Sequence, residues 1–228
     1  MAEQYTTCDD LERKIVHYCA ATLAGIKPAN LFTYRSQETE GLLHEHKATQ
    51  HHYPTHLIED IRTCQKKLAP HGVRLAILAP RKRGALIYAY RPTLLKQNIT
   101  QHAVSSFLTG EGYDVHSLSG CIKHLRERIR QTDHDALNEG CSFPHEIGLF
   151  LGYPFDDVMG FIENKGENFL CSGCWKVYSK QRDAQACFCS YKNCTNRFET
   201  LFENGVSLEE LARTTHQEPL IEAYPCAG

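Results

Sequence analysis

Val73-Arg-Leu-Ala-Ile-Leu-Ala79 and Ala85-Leu-Ile-Tyr-Ala-Tyr90 are two short β-prone runs joined by Pro80-Arg81-Lys82-Arg83-Gly84. Branched and aromatic residues on both sides of a Pro/Gly-bounded basic turn predict an antiparallel hairpin. Everything around this hairpin reads as helix. Upstream, Asp9 can cap a first helix with Glu12 closing a capping box, and Leu11, Ile15, Cys19 and Leu23 follow at i, i+4 spacing until Gly25 and Pro28. Residues 35–54 are polar and predict a loop. After Thr55, the stripe Leu57, Ile61, Cys64, Leu68 predicts a second helix, stopped by Pro70 and Gly72.

Downstream, helical patterns occupy 94–109, broken near Asn98, and 118–131, where Leu118, Ile122, Leu125 and Ile129 share a face. A polar stretch, 132–142, precedes a glycine-rich block. Phe169–Tyr178 is the third strand candidate, with Ser172-Gly173 as a possible bulge. A helix from Asp183 to about Phe202 follows, and Ser207-Leu-Glu-Glu210 is a capping box opening a last short helix. Helix, helix, hairpin, helices, strand, helices contains no βαβ alternation and no fixed-period repeat, which argues against a doubly wound parallel sheet. The predicted fold class is α+β: one helix-rich domain, 1–228, around a small antiparallel sheet made of the hairpin 73–90 and the strand near 169–178. A division into two lobes would fall at 132–142.

The composition is that of an ordinary globular chain, with 42% hydrophobic and 23% charged residues among 228. A formal charge of −2 gives no reason to expect nucleic acid as partner. No apolar run approaches the ~20 residues that span a bilayer, and the first ten residues lack the features of an export signal. The expectation is therefore a cytoplasmic protein with neither membrane nor nucleic acid as partner. Eleven cysteines and thirteen histidines are the compositional hints toward metal or thiol chemistry.

The block Phe143-Pro-His-Glu-Ile-Gly-Leu-Phe-Leu-Gly-Tyr-Pro154 contains glycines within apolar surroundings, each costing a helix roughly 1 kcal/mol relative to alanine. Glycines at that density answer to close packing or to a bound group. On a helix starting near Pro144, His145, Gly148, Leu149 and Gly152 share a face, a groove floor with a titratable ring at one end. Ligand-binding candidates are thus His145, Gly148, Gly152 and Tyr153. The following segment begins Asp156-Asp157 and carries Glu163, the wrong sign for a helix that meets DNA phosphates.

The segments Cys19-Ala-Ala-Thr-Leu-Ala-Gly-Ile-Lys-Pro-Ala-Asn-Leu-Phe32, Ile87-Tyr-Ala-Tyr-Arg-Pro92, Pro144-His-Glu-Ile-Gly-Leu-Phe-Leu-Gly-Tyr-Pro154 and Trp175-Lys-Val-Tyr178 fall in one order. Together they resemble a bacterial family of unknown function, domain-of-unknown-function family 3793, found mainly in anaerobes. The resemblance runs from about residue 11 to about residue 203. It departs at Ala21, where the family usually carries proline, and the family varies across 35–54. The resemblance implies a shared fold and site without naming a reaction, and it places Lys27, Asn30 and Arg91 nearest that site.

Three further chemistries are open. Cys171-Ser-Gly-Cys174 has the C-x₂-C spacing that presents two thiolates to one ion, and Cys194 is a candidate third ligand for zinc or another transition metal. Cys187 and Cys194, at i, i+7, lie about 10.5 Å apart along a helix, so only one of them can join. His44, His46, His51, His52 and His56 form a tract that can chelate metal or serve as a solvated insertion. Cys19 is a candidate nucleophile, with His145 as base and Glu146 as orienter, although its stripe is the face a helix buries. Arg74, Arg81, Lys82, Arg83 and Arg91 cluster near the hairpin and can receive an anion or keep a turn wet. Trp175, Tyr178, Tyr88 and Tyr90 read as core and sheet packing. The leading function is an accessory protein binding a small molecule or metal in anaerobic redox or metal metabolism, with its site at 144–154. A thiol- and histidine-dependent enzyme and a module that binds a protein partner are the alternatives.

Overall fold

Every residue of the strand Gly84–Tyr90 (β3) is apolar or aromatic because the strand is covered on both faces. Ala85, Ile87 and Ala89 enter one core, while Leu86 and Tyr88 enter another, the alternation that a pleated strand imposes. In the computed structural model, which describes residues 7–35, 55–81, 84–135 and 143–213, β3 is the middle of a three-stranded antiparallel sheet. Its partners are Ala29–Arg35 (β1) and Arg74–Arg81 (β2), with Ala29 and Arg74 both opposite Tyr90. The register of β2 shifts between Ile77 and Ala79, a bulge that puts both Leu78 and Ala79 in the second core.

The first core holds the helices Thr7–Leu23 (α1), Thr55–Leu68 (α2), Gln181–Glu203 (α8) and Leu208–Arg213 (α9). The predicted stripes Leu11–Ile15–Cys19–Leu23 and Leu57–Ile61–Cys64–Leu68 are the buried faces of α1 and α2. The second core holds Pro92–Ile99 (α3), His102–Gly110 (α4), Leu118–Asp135 (α5), Ile147–Phe150 (α6) and Phe155–Glu163 (α7). The result is an α+β domain with one helical layer on each side of the sheet. Ser207 and Glu210 form the reciprocal cap of α9, with the Ser207 amide and hydroxyl donating to Glu210 Oε2 at 2.9 and 2.7 Å.

The sheet corrects one expectation. Its third strand is β1, whose Phe32 and Tyr34 pack into the first core and Ala29 into the second. Residues 169–178 do not join it. They form a separate two-stranded hairpin, Cys171–Ser172 (β4) with Lys176–Val177 (β5). Two residues per arm are too few to offer an apolar face to the main sheet, and the hairpin is held instead by α7 and α8. The break in 94–109 falls at Thr100-Gln101, between α3 and α4. The proposed lobe boundary is only partly described: residues 136–142 lie outside the described residues, as do His44, His46, His51 and His52 of the histidine tract and Lys82 and Arg83 of the basic turn.

Candidate functional site

The site is built on α6 and the turn that ends it. A helix starting near Pro144 is not what forms: α6 is a single turn, Ile147–Phe150, and His145 and Glu146 precede it in turn conformation. Its end is a Schellman motif. Gly152 N–H donates to Leu149 O at 3.2 Å and Tyr153 N–H to Gly148 O at 2.9 Å, with Gly152 left-handed at φ 78°. Two cross-links fix this turn from outside. Tyr88 O–H donates to Phe150 O at 2.8 Å and Asn98 Nδ2 to Leu149 O at 2.7 Å. Of the groove floor expected along His145–Gly148–Leu149–Gly152, His145 and Gly148 line a cavity and Leu149 and Gly152 do not. Leu149 is buried, a Cβ on Gly148 would sit 2.8 Å from Val158 Cγ2, and one on Gly152 would sit 2.4 Å from Pro28 Cγ. These glycines admit close packing, and Gly148 also borders open space.

That space is a cavity of about 330 Å³ between α6, α7 and the β4–β5 hairpin, walled by Phe143, Tyr153, Phe161 and Trp175, with His145 and Lys176 at its polar edge. Tyr153 stacks on Trp175 with ring centroids 4.9 Å apart, and the His145 ring meets Phe161 edge-on at 4.9 Å. Lys176 Nζ donates to Gly166 O at 2.7 Å and lies 5.8 Å from the Phe161 centroid.

Asp157 sets this wall. Only 2% exposed, its Oδ2 accepts from Trp175 Nε1 at 2.7 Å. Its Oδ1 accepts from the Tyr178 and Ser179 amides at 2.9 and 2.8 Å and from the Ser179 hydroxyl at 3.1 Å. One carboxylate thus fastens the whole hairpin to α7 and orients the indole. Its sequence position, in the first turn of α7, signalled only a favourable helix charge. Its partners lie 18–22 residues away, beyond any local pattern. Trp175, predicted to pack in the sheet, instead lines the cavity, and Phe161 and Lys176 had no sequence signal of their own.

The predicted residues divide into two neighbourhoods. Glu146, 3% exposed, accepts from Arg128 Nε and from Tyr113 O–H, each at 2.9 Å, and so locks α6 to α5. That role is a clamp, with both donors converging on Oε1. Arg91 is buried with its donors directed to main-chain carbonyls: Nε to Thr22 O at 2.6 Å, one terminal nitrogen to His71 O at 2.9 Å, the other to Leu23 O and to Ala212 O at 3.3 Å. It caps the end of α1 and joins α9 to it, and burial pushes its guanidinium down to about 10. Asn30 Oδ1 accepts from the Thr22 hydroxyl at 2.8 Å, another brace on the same corner.

Lys27 lies behind the Tyr153 ring. It is 4% exposed, with Nζ 5.1 Å from the centroid of Tyr153 and 5.7 Å from that of Tyr191. The thiols of Cys174, Cys19 and Cys187 are its electrostatic neighbours, and among the described residues no carboxylate pairs with it. Burial lowers its pKa from the ordinary lysine value, a loss that the thiols only partly offset. Cys19 is wholly buried in the α1 core, where desolvation pushes its thiol up to about 12 despite Lys27 nearby. Burial thus opposes the thiolate that the Cys19–His145 enzyme reading needs.

Among the described residues no three His, Cys, Asp or Glu side chains are grouped to hold a metal ion. Cys171 belongs to β4 and Cys174 to the exposed hairpin turn, while Cys194 is in the first core on α8. Zinc therefore has no ligand set in Cys171, Cys174 and Cys194. No helix among the described residues is long and apolar enough to cross a membrane.

A helical layer on each face of a three-stranded sheet, with an aromatic cavity beside a Schellman turn, defines a small α+β domain. Residues 15–212 match the family described as protein of unknown function (DUF3793), and the chain belongs to that family. No curated protein matches the sequence, and no solved structure matches the fold.

Proposed function

We propose that this protein binds one small, flat, largely apolar molecule in the cavity beside Tyr153 and Trp175. His145 and Lys176 would meet a polar or anionic substituent. The observation that carries this reading is the stacked Tyr153–Trp175 wall, which Asp157 holds in place by hydrogen bonding the indole and the strand behind it. A cavity of about 330 Å³, mainly aromatic with few polar groups at the rim, has the size and chemistry of a small-molecule site. The accessory role in anaerobic metabolism remains the physiological setting of this proposal; the metal-binding form of it gains no support from the donor geometry.

Trp175 is the sole tryptophan of the chain, so its emission reports on this wall alone. Titration with 1-anilinonaphthalene-8-sulfonate, a flat aromatic anion, should give saturable energy transfer from Trp175 at one probe per chain. Lys176→Ala and Phe161→Ala should each weaken it about 5–20-fold, the loss of one contact of about 1–2 kcal/mol. Absence of saturable transfer, or transfer unaffected by both substitutions, would remove the proposal.

A further inference from the structure

Lys27 is a buried amine with no carboxylate beside it among the described residues, and the small-molecule cavity does not account for it. Burying a lone ammonium is costly, and proteins meet that cost with a carboxylate, a bound anion or loss of the proton. Around Nζ stand Cys19 of α1, Tyr153 after α6, Cys174 of the β4–β5 turn, and Cys187 and Tyr191 of α8. None of these is a carboxylate. Burial drives Cys19, Cys174, Tyr153 and Tyr191 further toward their protonated forms, so they supply no counter-charge. Two tyrosine faces shield the nitrogen from water, and Cys174, the exposed thiol of the three, marks the side open to solvent.

We propose that Lys27 is a nucleophilic amine that captures small aldehydes or ketones as an imine, a covalent site walled by Tyr153, Tyr191 and the Cys19, Cys174 and Cys187 thiols. The nitrogen lone pair attacks the carbonyl carbon, forming the C–N bond as the carbonyl π pair moves to oxygen. The oxygen takes up the proton lost by nitrogen, giving a carbinolamine. Loss of hydroxide with the second nitrogen proton, together one water, leaves the C=N bond. No oxidant or reductant is consumed, and no net proton is exchanged. The step uses the free-amine form, which burial between two tyrosine faces favours, and exclusion of bulk water favours the imine over its hydrolysis. Cys174 can add the same aldehyde reversibly as a hemithioacetal, a step that borohydride reagents do not trap. The site stands apart from occupancy of the cavity on the other side of Tyr153, so either proposal can fail alone.

The test uses the folded full chain with propionaldehyde and sodium cyanoborohydride, followed by peptide mass mapping of propylated lysines. At pH 7, Lys27 should be modified at least 10-fold faster than the exposed Lys66, Lys123 and Lys192. From pH 9 to pH 7 the rate at an ordinary lysine should fall about 100-fold, because its free-amine fraction drops tenfold per pH unit. The rate at Lys27 should fall less than that, because its pKa is lowered. In concentrated urea Lys27 should lose its advantage and join the other lysines. Modification of Lys27 no faster than of the exposed lysines in the folded protein, or with the same steep pH dependence, would overturn the assignment. Equal selectivity in folded and unfolded chain would overturn it too, since the fold would then not be its cause.

Discussion

Replacing Asp157 by alanine removes the acceptor for three N–H donors at once: the Trp175 indole and the amides of Tyr178 and Ser179. A buried donor left unsatisfied costs about 1–3 kcal/mol. The two amides belong to half-buried residues where water can partly replace the carboxylate, so the lower part of the range applies to them. The expected destabilisation is about 3–5 kcal/mol, a large part of the stability of a domain this size. Asp157→Asn separates the contributions. An amide oxygen can still serve the two main-chain amides, but its NH₂ then faces the indole N–H, for a loss of about 1.5–3 kcal/mol. Urea unfolding followed by far-ultraviolet circular dichroism gives the free energies. Trp175 emission under native conditions, which should shift to the red as the indole loses its partner, reports on the cavity wall. The order Ala worse than Asn worse than wild type is required. An alanine variant with unchanged urea midpoint and unshifted emission would refute the claim that this carboxylate assembles the site.

Three other outcomes follow from the same geometry. Gly148→Ala puts a Cβ 2.8 Å from Val158 and 3.1 Å from Tyr153, and should cost about 1–3 kcal/mol while reducing probe binding in the Trp175 titration. Arg91→Leu leaves carbonyls of α1 and α9 without donors, and should lower stability by about 2–5 kcal/mol in chemical denaturation, with Arg91→Lys recovering only part. Lys27→Met should raise the melting temperature at pH 7. The folded-state pKa of Lys27 is lowered, so between that value and the unfolded value of about 10.4 the unfolded chain binds the extra proton. Its penalty is therefore full below the folded pKa and fades as pH rises through this window. The gap in stability between Lys27→Met and wild type should close on going from pH 7 to pH 10, and a gap that stays constant would contradict the lowered pKa.

Local periodicity carried most of the fold. The stripes on α1 and α2 and the β2–β3 hairpin were readable because each declares itself within a dozen residues. β1 was not, because Ala29–Arg35 alternates only weakly, with Asn30 and Thr33 on faces that tertiary packing alone distinguishes. The 169–178 segment reads as a strand by composition, yet its conformation depends on Asp157 and on Phe188, whose ring meets Trp175 at 4.5 Å. The site shows the same boundary. His145 and Tyr153 stood out because of the glycines beside them. The burial of Lys27, in a Gly-Ile-Lys-Pro turn, and the clamp roles of Glu146, Arg91 and Asp157 depend on partners up to 121 residues distant. No spacing rule reaches that far.

The layering of the helices has a consequence for biosynthesis. One layer is drawn from the middle of the chain, α3 to α7, whereas the other is shared between its two ends. Helix α1 packs against α8, and the pair His17–Glu199 bridges 182 residues of sequence. At a translation rate of roughly 5–20 residues per second, α1 emerges from the ribosome about 10–40 s before its partner exists. During that interval the stripe Leu11–Ile15–Cys19–Leu23 has only α2 and the sheet to cover it. Closure of the first core therefore waits on residues about 180 positions downstream, and the apolar face of α1 stays partly uncovered until α8 has been made.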